Sequence, residues 1–196
     1  MQQALLNSAI VIQESGNVQF RSVAETGLHS LIEKGHDNER VHFNLGMLAM
    51  DIKDYTSGER WFRRAIAKKA NFRSALFNLA LLLSESKRSL ESVPVLKQLL
   101  SYYPDHIKGL ILLGDIYVNQ MKNLQEAEQI YSRILELSPK HIQGWHNLCV
   151  VYVEQGNFFK AEKCLTDVHH EAPHESYILK HLKIVQDRIA KAKRRT

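Results

Sequence analysis

Residues 107–175 carry the same pattern of residue types twice in succession. The first copy reads LLGDIY (112–117), EAEQIY (126–131) and SP (138–139), and the second reads NLCVVY (147–152), KAEKCL (160–165) and AP (172–173). Each copy has a Leu followed by a small residue, a Tyr three residues later, and then an Ala, a large apolar residue and a closing Pro. The landmarks recur with a step of 34 or 35 residues. This step indicates a structural repeat.

A step of this length is typical of the helix–turn–helix unit of tetratricopeptide repeats (TPRs). The step also extends towards the N-terminus, because Leu45, Leu79, Leu113 and Leu148 are spaced 34, 34 and 35 residues apart. Two helices approach closely only where a side chain is nearly absent, so small residues should recur on both helices of a pair. They do so at Gly46, Ala80, Gly114 and Cys149 on the first helices and at Gly58, Ser92, Ala127 and Ala161 on the second helices.

The sequence therefore predicts an all-α TPR solenoid, a right-handed superhelix of about five helix pairs followed by a capping helix. The first pair is degenerate, with helices expected at 2–14 and 18–34. Apolar residues at helical spacing on one face predict the capping helix. The predicted segments are a degenerate repeat at 1–38, repeats at 39–72, 73–106, 107–141 and 142–175, the capping helix at 176–193 and a basic tail at 194–196.

Local signals add four expectations about the turns, one helix start and the core. The fourth repeat has one extra residue in its NQMKN turn (119–123), and Gly156 with Asn157 predicts a turn that needs positive φ. Pro94 is expected near the start of a helix, with Leu90–Val93 as a lead-in, because a missing amide hydrogen is tolerated there. The aromatic residues expected in the core are Phe62, Tyr117, Tyr131, Trp145 and Tyr152.

The charge of the chain is concentrated at one end. The isoelectric point is about 9.2, but residues 176–196 carry seven Lys or Arg and one acid, so the remaining 175 residues have a net charge of minus one. The basic character therefore belongs to the tail, and no specific nucleic-acid binding is predicted. The longest apolar run is too short to span a bilayer and no signal peptide is recognisable, so any membrane contact is expected through another part of a longer protein.

Residue patterns for catalysis or cofactor binding are scarce. The sequence contains no Gly-rich phosphate loop, nucleophile elbow or paired metal-ligand spacing. His169, His170 and His174 form a cluster, which we interpret as solvated histidines near a helix C-terminus. We expect no catalytic residue, metal or cofactor in this segment.

An array of helix pairs is expected to bind a protein or an extended peptide on its first helices. Asn44, Asn78 and Asn147 occupy one equivalent position there. An Asn side chain could hold a peptide backbone with its donor and its acceptor, or it could instead form hydrogen bonds within its own repeat. The other residues of this predicted inner wall are Met47, Leu81, Lys108, Asp115, His146 and Val150.

One known type of TPR site does not fit this wall. Chaperone-binding TPR domains hold a C-terminal carboxylate with a set of Lys, Asn and Arg residues on successive inner helices. Asn78 and Lys108 match two of these positions, but Phe43, Met47 and Leu112 replace the other donors. Without those charge-assisted hydrogen bonds, a carboxylate clamp is excluded.

The two cysteines lie on the two helices of the fifth repeat. Cys149 occupies the small-residue position, and Cys164 lies one helical turn beyond the facing Ala161. Their Cα atoms are therefore expected within the separation that a disulfide needs. The spacing leaves open whether they are bonded or remain free thiols that fill the core.

Residues 72–189 resemble the C-terminal part of the transmembrane and tetratricopeptide-repeat-containing family. The resemblance rests on YYPDHIKGLILLGD (102–115), QGWHNLCVVYVEQGNFFKAEKCL (143–165) and APHESYILKHLKIVQDRI (172–189). It implies membrane proteins of the endoplasmic reticulum that transfer mannose from dolichyl-phosphate mannose to Ser or Thr of acceptors, cadherins in particular, with their repeats in the lumen. This segment would then recruit or position the acceptor. The alternative is a non-enzymatic TPR scaffold of the cytosol or nucleus.

Overall fold

The computed structural model describes residues 18–194. Every regular element in this range is helical, which confirms the all-α TPR architecture. The helix predicted at 2–14 lies outside the described residues. The helices are α1 (Val18–Glu33), α2 (Glu39–Asp51), α3 (Tyr55–Lys68), α4 (Arg73–Glu85), α5 (Ser89–Tyr102), α6 (Ile107–Ile116), α7 (Leu124–Leu137), α8 (Ile142–Glu154), α9 (Phe158–Glu171) and α10 (Ser176–Lys193), with a π-helical turn, Tyr117–Met121, after α6.

The chain divides into two compact units, one ending at Pro104 and the other beginning at Asp105. In the first unit, α1 packs against α2, α2 against α3, α3 against α4 and α4 against α5. In the second unit, α6 packs against α7, α7 against α8, α8 against α9 and α9 against α10. Within each unit, every helix thus contacts its neighbours in the sequence, as expected for stacked helix pairs.

Glycines of the repeat lie where a side chain of a neighbouring helix approaches the backbone closely. A Cβ atom added to Gly46 would lie 2.6 Å from the ring of Phe62, and one added to Gly114 would lie 2.7 Å from the ring of Tyr131. A Cβ on Gly58 would lie 2.7 Å from a methyl group of Leu82. These contacts show that close packing selects the small residues.

Two helices of the second unit begin with the same histidine cap. His106 Nδ1 accepts a hydrogen bond from the backbone N–H of Gly109 at 3.0 Å, and His141 Nδ1 accepts one from that of Gly144 at 3.0 Å. Each imidazole therefore satisfies one of the N–H groups that a helix start leaves unpaired. The sequence analysis missed this cap, although both histidines stand in an HIxG motif.

The extra residue of the fourth repeat lies in the π-helical turn Tyr117–Met121, which ends at Lys122 with a φ of 52°. A π turn absorbs an inserted residue without ending the helix. The corresponding turn of the next repeat has a φ of 77° at Gly156, as predicted, whereas Asn157 has an ordinary φ of −80°.

The prediction for Pro94 was wrong in its details. Helix α5 begins at Ser89, so Leu90–Val93 is already helical and Pro94 lies inside the helix. Proline removes the hydrogen bond to the carbonyl of Leu90. Both side chains face solvent, so water can reach that part of the helix and bond this carbonyl.

Four of the five aromatic residues predicted in the core are buried. The exception is Trp145, which is only partly buried. The prediction of a core position therefore holds only in part for Trp145. The buried residues are Phe62, Tyr117, Tyr131 and Tyr152.

Candidate peptide-binding surface

In the first unit, the residues of the predicted inner wall lie on α2 and α4. Asn44 is buried, whereas Met47, Asn78 and Leu81 are partly exposed. The side-chain N–H of Asn78 donates to the backbone carbonyl of Ser74, one turn earlier, at 2.9 Å. Asn78 therefore forms a hydrogen bond within its own repeat, which is the second of the two roles that the sequence left open for it.

In the second unit, Asn147 also has a partner within the array. Its side-chain N–H donates to Asp115 Oδ1 at 3.2 Å, and the hydroxyl of Tyr131 donates to the same oxygen at 2.5 Å. These bonds link α6, α7 and α8. Asn147 is thus a structural residue as well as a member of the wall, whereas Lys108 is exposed at the start of α6.

Burial is the main cause of the pKa shifts of Asp115 and Tyr131. It raises the pKa of Asp115, and the hydrogen bond from Tyr131 opposes that shift only in part. The pKa of Tyr131 is raised as well, first by burial and then by the neighbouring carboxylate. The tyrosine therefore stays protonated and acts as a hydrogen-bond donor that holds Asp115 in place.

The capping helix joins this network through a histidine pair. His146 Nε2 lies 2.8 Å from His181 Nδ1, and the two rings are stacked with centroids 4.9 Å apart. The Nδ1 atom of His146 contacts Asn147 Oδ1, which can only accept, at 3.4 Å. A neutral His146 must then donate from Nδ1 and accept from His181 at Nε2. His181 was not predicted, although it stands 35 residues after His146.

Because of this histidine pair, we expect the second unit to be less stable at acidic pH. Burial first, and then the nearby His181, lower the pKa of His146 below its usual value. The stability that depends on neutral His146 is complete above the unfolded pKa of about 6.5 and is lost as the pH falls below it. We expect the melting temperature to fall between pH 7 and pH 5. A His146→Gln variant should show a smaller fall, whereas the exposed control His174→Gln should behave like the unaltered chain.

A cleft lies beside Val150, the last member of the predicted wall. It has a volume of about 190 Å³ and separates α8 from α10. The side chains that line it are Val150, Val153, Glu154, His181, Ile184, Val185 and Arg188.

The two cysteines are joined by a disulfide between α8 and α9. Their Cα atoms are 5.5 Å apart, and Cys149 is fully buried. The bond closes a loop that contains the turn of the fifth repeat. It therefore fixes α8, one wall of the cleft, against α9.

The described residues form no metal site. His169 is partly buried, and His170 and His174 are exposed. Between residues 18 and 194, no three His, Cys, Asp or Glu side chains lie close enough to hold a metal ion. In the same range, no helix is long and apolar enough to cross a membrane.

Family models described as tetratricopeptide repeat match residues 39–69, 74–106 and 119–182. These matches cover helix pairs in both units. Together with the packing described above, they define the chain as a TPR protein.

Curated relatives identify the family more narrowly. The chain is 52% identical over 187 residues to human protein O-mannosyl-transferase TMTC3 and 53% identical over 176 residues to Tmtc3 of Drosophila melanogaster. These alignments cover 95% and 90% of the chain but only 20% and 19% of the relatives. The chain belongs to this transmembrane and tetratricopeptide-repeat-containing family, and it spans about one fifth of the length of the curated relatives it matches.

Solved structures support the fold alone. A tetratricopeptide repeat protein from Parabacteroides merdae matches with a TM-score of 0.83 at 20% identity, covering 98% of this chain and 75% of the other. YrrB, described as a TPR protein with an unusual peptide-binding site, matches with a TM-score of 0.77 at 17% identity, covering 91% and 90% of the two chains.

Proposed function

We propose that this chain is the acceptor-binding region of a protein O-mannosyltransferase, in which the TPR helices hold the protein that receives mannose. The observation that carries the proposal is about 50% identity, over nearly the whole chain, to proteins named O-mannosyl-transferases. Stacked helix pairs support a holding role because they offer an extended surface to a partner. The proposal assigns the transfer itself to parts of the parent protein outside these 196 residues.

The same proposal extends to the donor, the acceptor and the compartment. Dolichyl-phosphate mannose is the donor for the parent, and Ser or Thr residues of cadherins are candidate acceptors. The repeats face the lumen of the endoplasmic reticulum. The Cys149–Cys164 disulfide supports this placement, because disulfides persist in oxidising compartments and are rare in the cytosol.

Variants of the inner wall in the full-length transferase test the holding role. Met47→Glu changes a partly exposed member of the wall, and Lys108→Glu changes an exposed one. Each should lower the mannose occupancy of a folded cadherin domain several-fold, measured by mass spectrometry, because the acceptor is held less well. Mannosylation of a short Ser-containing peptide should change little, since such a peptide does not need the repeats.

The matched control is Gln129→Glu, which adds the same kind of charge to an exposed position on α7. Thermal melting of the isolated chain identifies any variant that acts through unfolding. Wall variants that melt normally and mannosylate the cadherin domain as well as the control does would contradict the proposal.

A further inference from the structure

The cleft between α8 and α10 is formed by two matching stripes of side chains. On α8, Val150 and the pair Val153 and Glu154 lie three and four residues apart, which places them on one face. On α10, His181 is followed at the same spacing by Ile184 and Val185 and, one turn later, by Arg188. Helix α9 packs against both helices, so α8 and α10 form the two walls of the cleft.

The cleft is closed at one end and apolar inside. The contact between His146 and His181 bridges the walls at the end nearer the N-termini of α8 and α10. Val185 is buried at the base, whereas Ile184 exposes 42% of its surface. An exposed Ile beside a cavity of about 190 Å³ leaves room for one further aliphatic side chain.

Opposite charges stand on the two walls at the other end. Glu154 ends α8, and Arg188 lies one turn beyond Ile184 on α10. Among the described residues, neither side chain takes part in an ion pair. The guanidinium of Arg188 lies over the ring of Phe158, 5.7 Å from its centroid. Each wall thus presents a charge that can pair with a ligand.

We infer that this cleft binds an extended segment of a partner protein in which an aliphatic residue stands between a basic and an acidic residue, each two positions away. In an extended chain, every second side chain points to the same face, and neighbours on that face are about 7 Å apart. The aliphatic side chain enters the cleft, the basic side chain pairs with Glu154 and the acidic one with Arg188. This inference rests on the proposed function, because it names the kind of acceptor segment that the repeats hold.

The cleft favours an extended segment over a helix. A helix bound in a groove needs a row of pockets for residues spaced three and four apart. Here a single cavity is bounded by the histidine pair at one end and by charges at the other. Pairing both charges with one ligand requires opposite charges on that ligand, which selects against uniformly basic or acidic partners.

Two probe peptides test the inference by NMR titration of the 196-residue chain. They contain Lys-Ala-Leu-Ala-Glu or Glu-Ala-Leu-Ala-Lys between Gly-Ser flanks, because the structure does not fix the direction of the bound segment. We expect one order to bind more tightly than the other. Replacing the Leu of that peptide with Asn should weaken binding about tenfold or more, since the buried aliphatic surface is lost.

Variants of the chain then locate the binding. Ile184→Asn should weaken binding of the preferred peptide. The matched control Leu179→Asn alters an exposed residue of α10 that does not line the cleft, and it should leave binding unchanged. Exchange of the two wall charges in a Glu154→Arg, Arg188→Glu double variant should reverse the preference, so that the other peptide order binds better.

The outcomes separate this inference from the proposed function. An unchanged order of preference in the charge-exchanged variant, or equal effects of the two Asn variants, overturns the inference. If neither probe binds but segments of a cadherin acceptor do, the inference fails and the proposed function stands. If neither probes nor acceptor segments bind, both fail.

Discussion

Replacing Phe62 with Ala is expected to lower the free energy of unfolding of the first unit by about 3–5 kcal/mol, because the ring is completely buried and its removal leaves a cavity. The ring lies against Gly46, so the cavity opens between α2 and α3. Denaturant unfolding can be followed through Trp61, the buried residue that precedes Phe62 in α3. Trp145 is the only other tryptophan in the chain, and a Trp145→Phe background makes Trp61 the sole reporter.

A double-mutant cycle distinguishes this contact from general loss of packing. Gly46→Ala alone should destabilise, since its Cβ would lie 2.6 Å from the ring of the completely buried Phe62 and would force that ring to shift. In the Phe62→Ala background, the same methyl group enters the vacated cavity, and its cost should disappear or become a gain. Additive effects of the two substitutions would contradict the close contact between residue 46 and residue 62.

The contact between Gly46 and Phe62 also shows why packing was predictable from the sequence. At Gly46, the ring of Phe62 approaches the backbone so closely that no room is left for a Cβ atom, so packing restricts the residue type at that position. The same holds for Gly114 against Tyr131. The equivalent positions of the other repeats hold Ala80 and Cys149, so a small residue recurs at each step and can be recognised from the sequence alone.

Polar contacts between repeats were not predictable in the same way. His146 and His181 are one repeat step apart, but only the side-chain orientations show that their nitrogens meet. Likewise, the position of Asp115, one repeat earlier, decides whether Asn147 is available to a peptide or bonded to a neighbouring helix, and here the two residues are bonded. Such hydrogen bonds depend on side-chain rotamers and on donor–acceptor distances within a few tenths of an ångström, and the sequence period specifies neither.

Removing the disulfide is expected to lower the melting temperature by several degrees. The bond joins residues separated by 15 positions, and closing a loop of this size contributes about 3 kcal/mol in the chain-entropy model. A Cys149→Ala, Cys164→Ala double variant removes the cross-link and keeps small apolar side chains at both positions. Its melting temperature should lie below that of the oxidised chain, and the loss should appear first in the second unit, which contains both cysteines.

Reductant provides the control for this experiment. Cys149 is fully buried and Cys164 is only partly exposed, so dithiothreitol has restricted access to the disulfide and reduction should be slow in the native protein. After complete reduction, the unaltered chain should melt close to the temperature of the double variant, whereas reductant should not affect the double variant. A reduced chain that melts like the oxidised one would show that the cross-link contributes little. The disulfide would then give the chain no stability advantage, and its support for the luminal placement would rest on the presence of the bond alone.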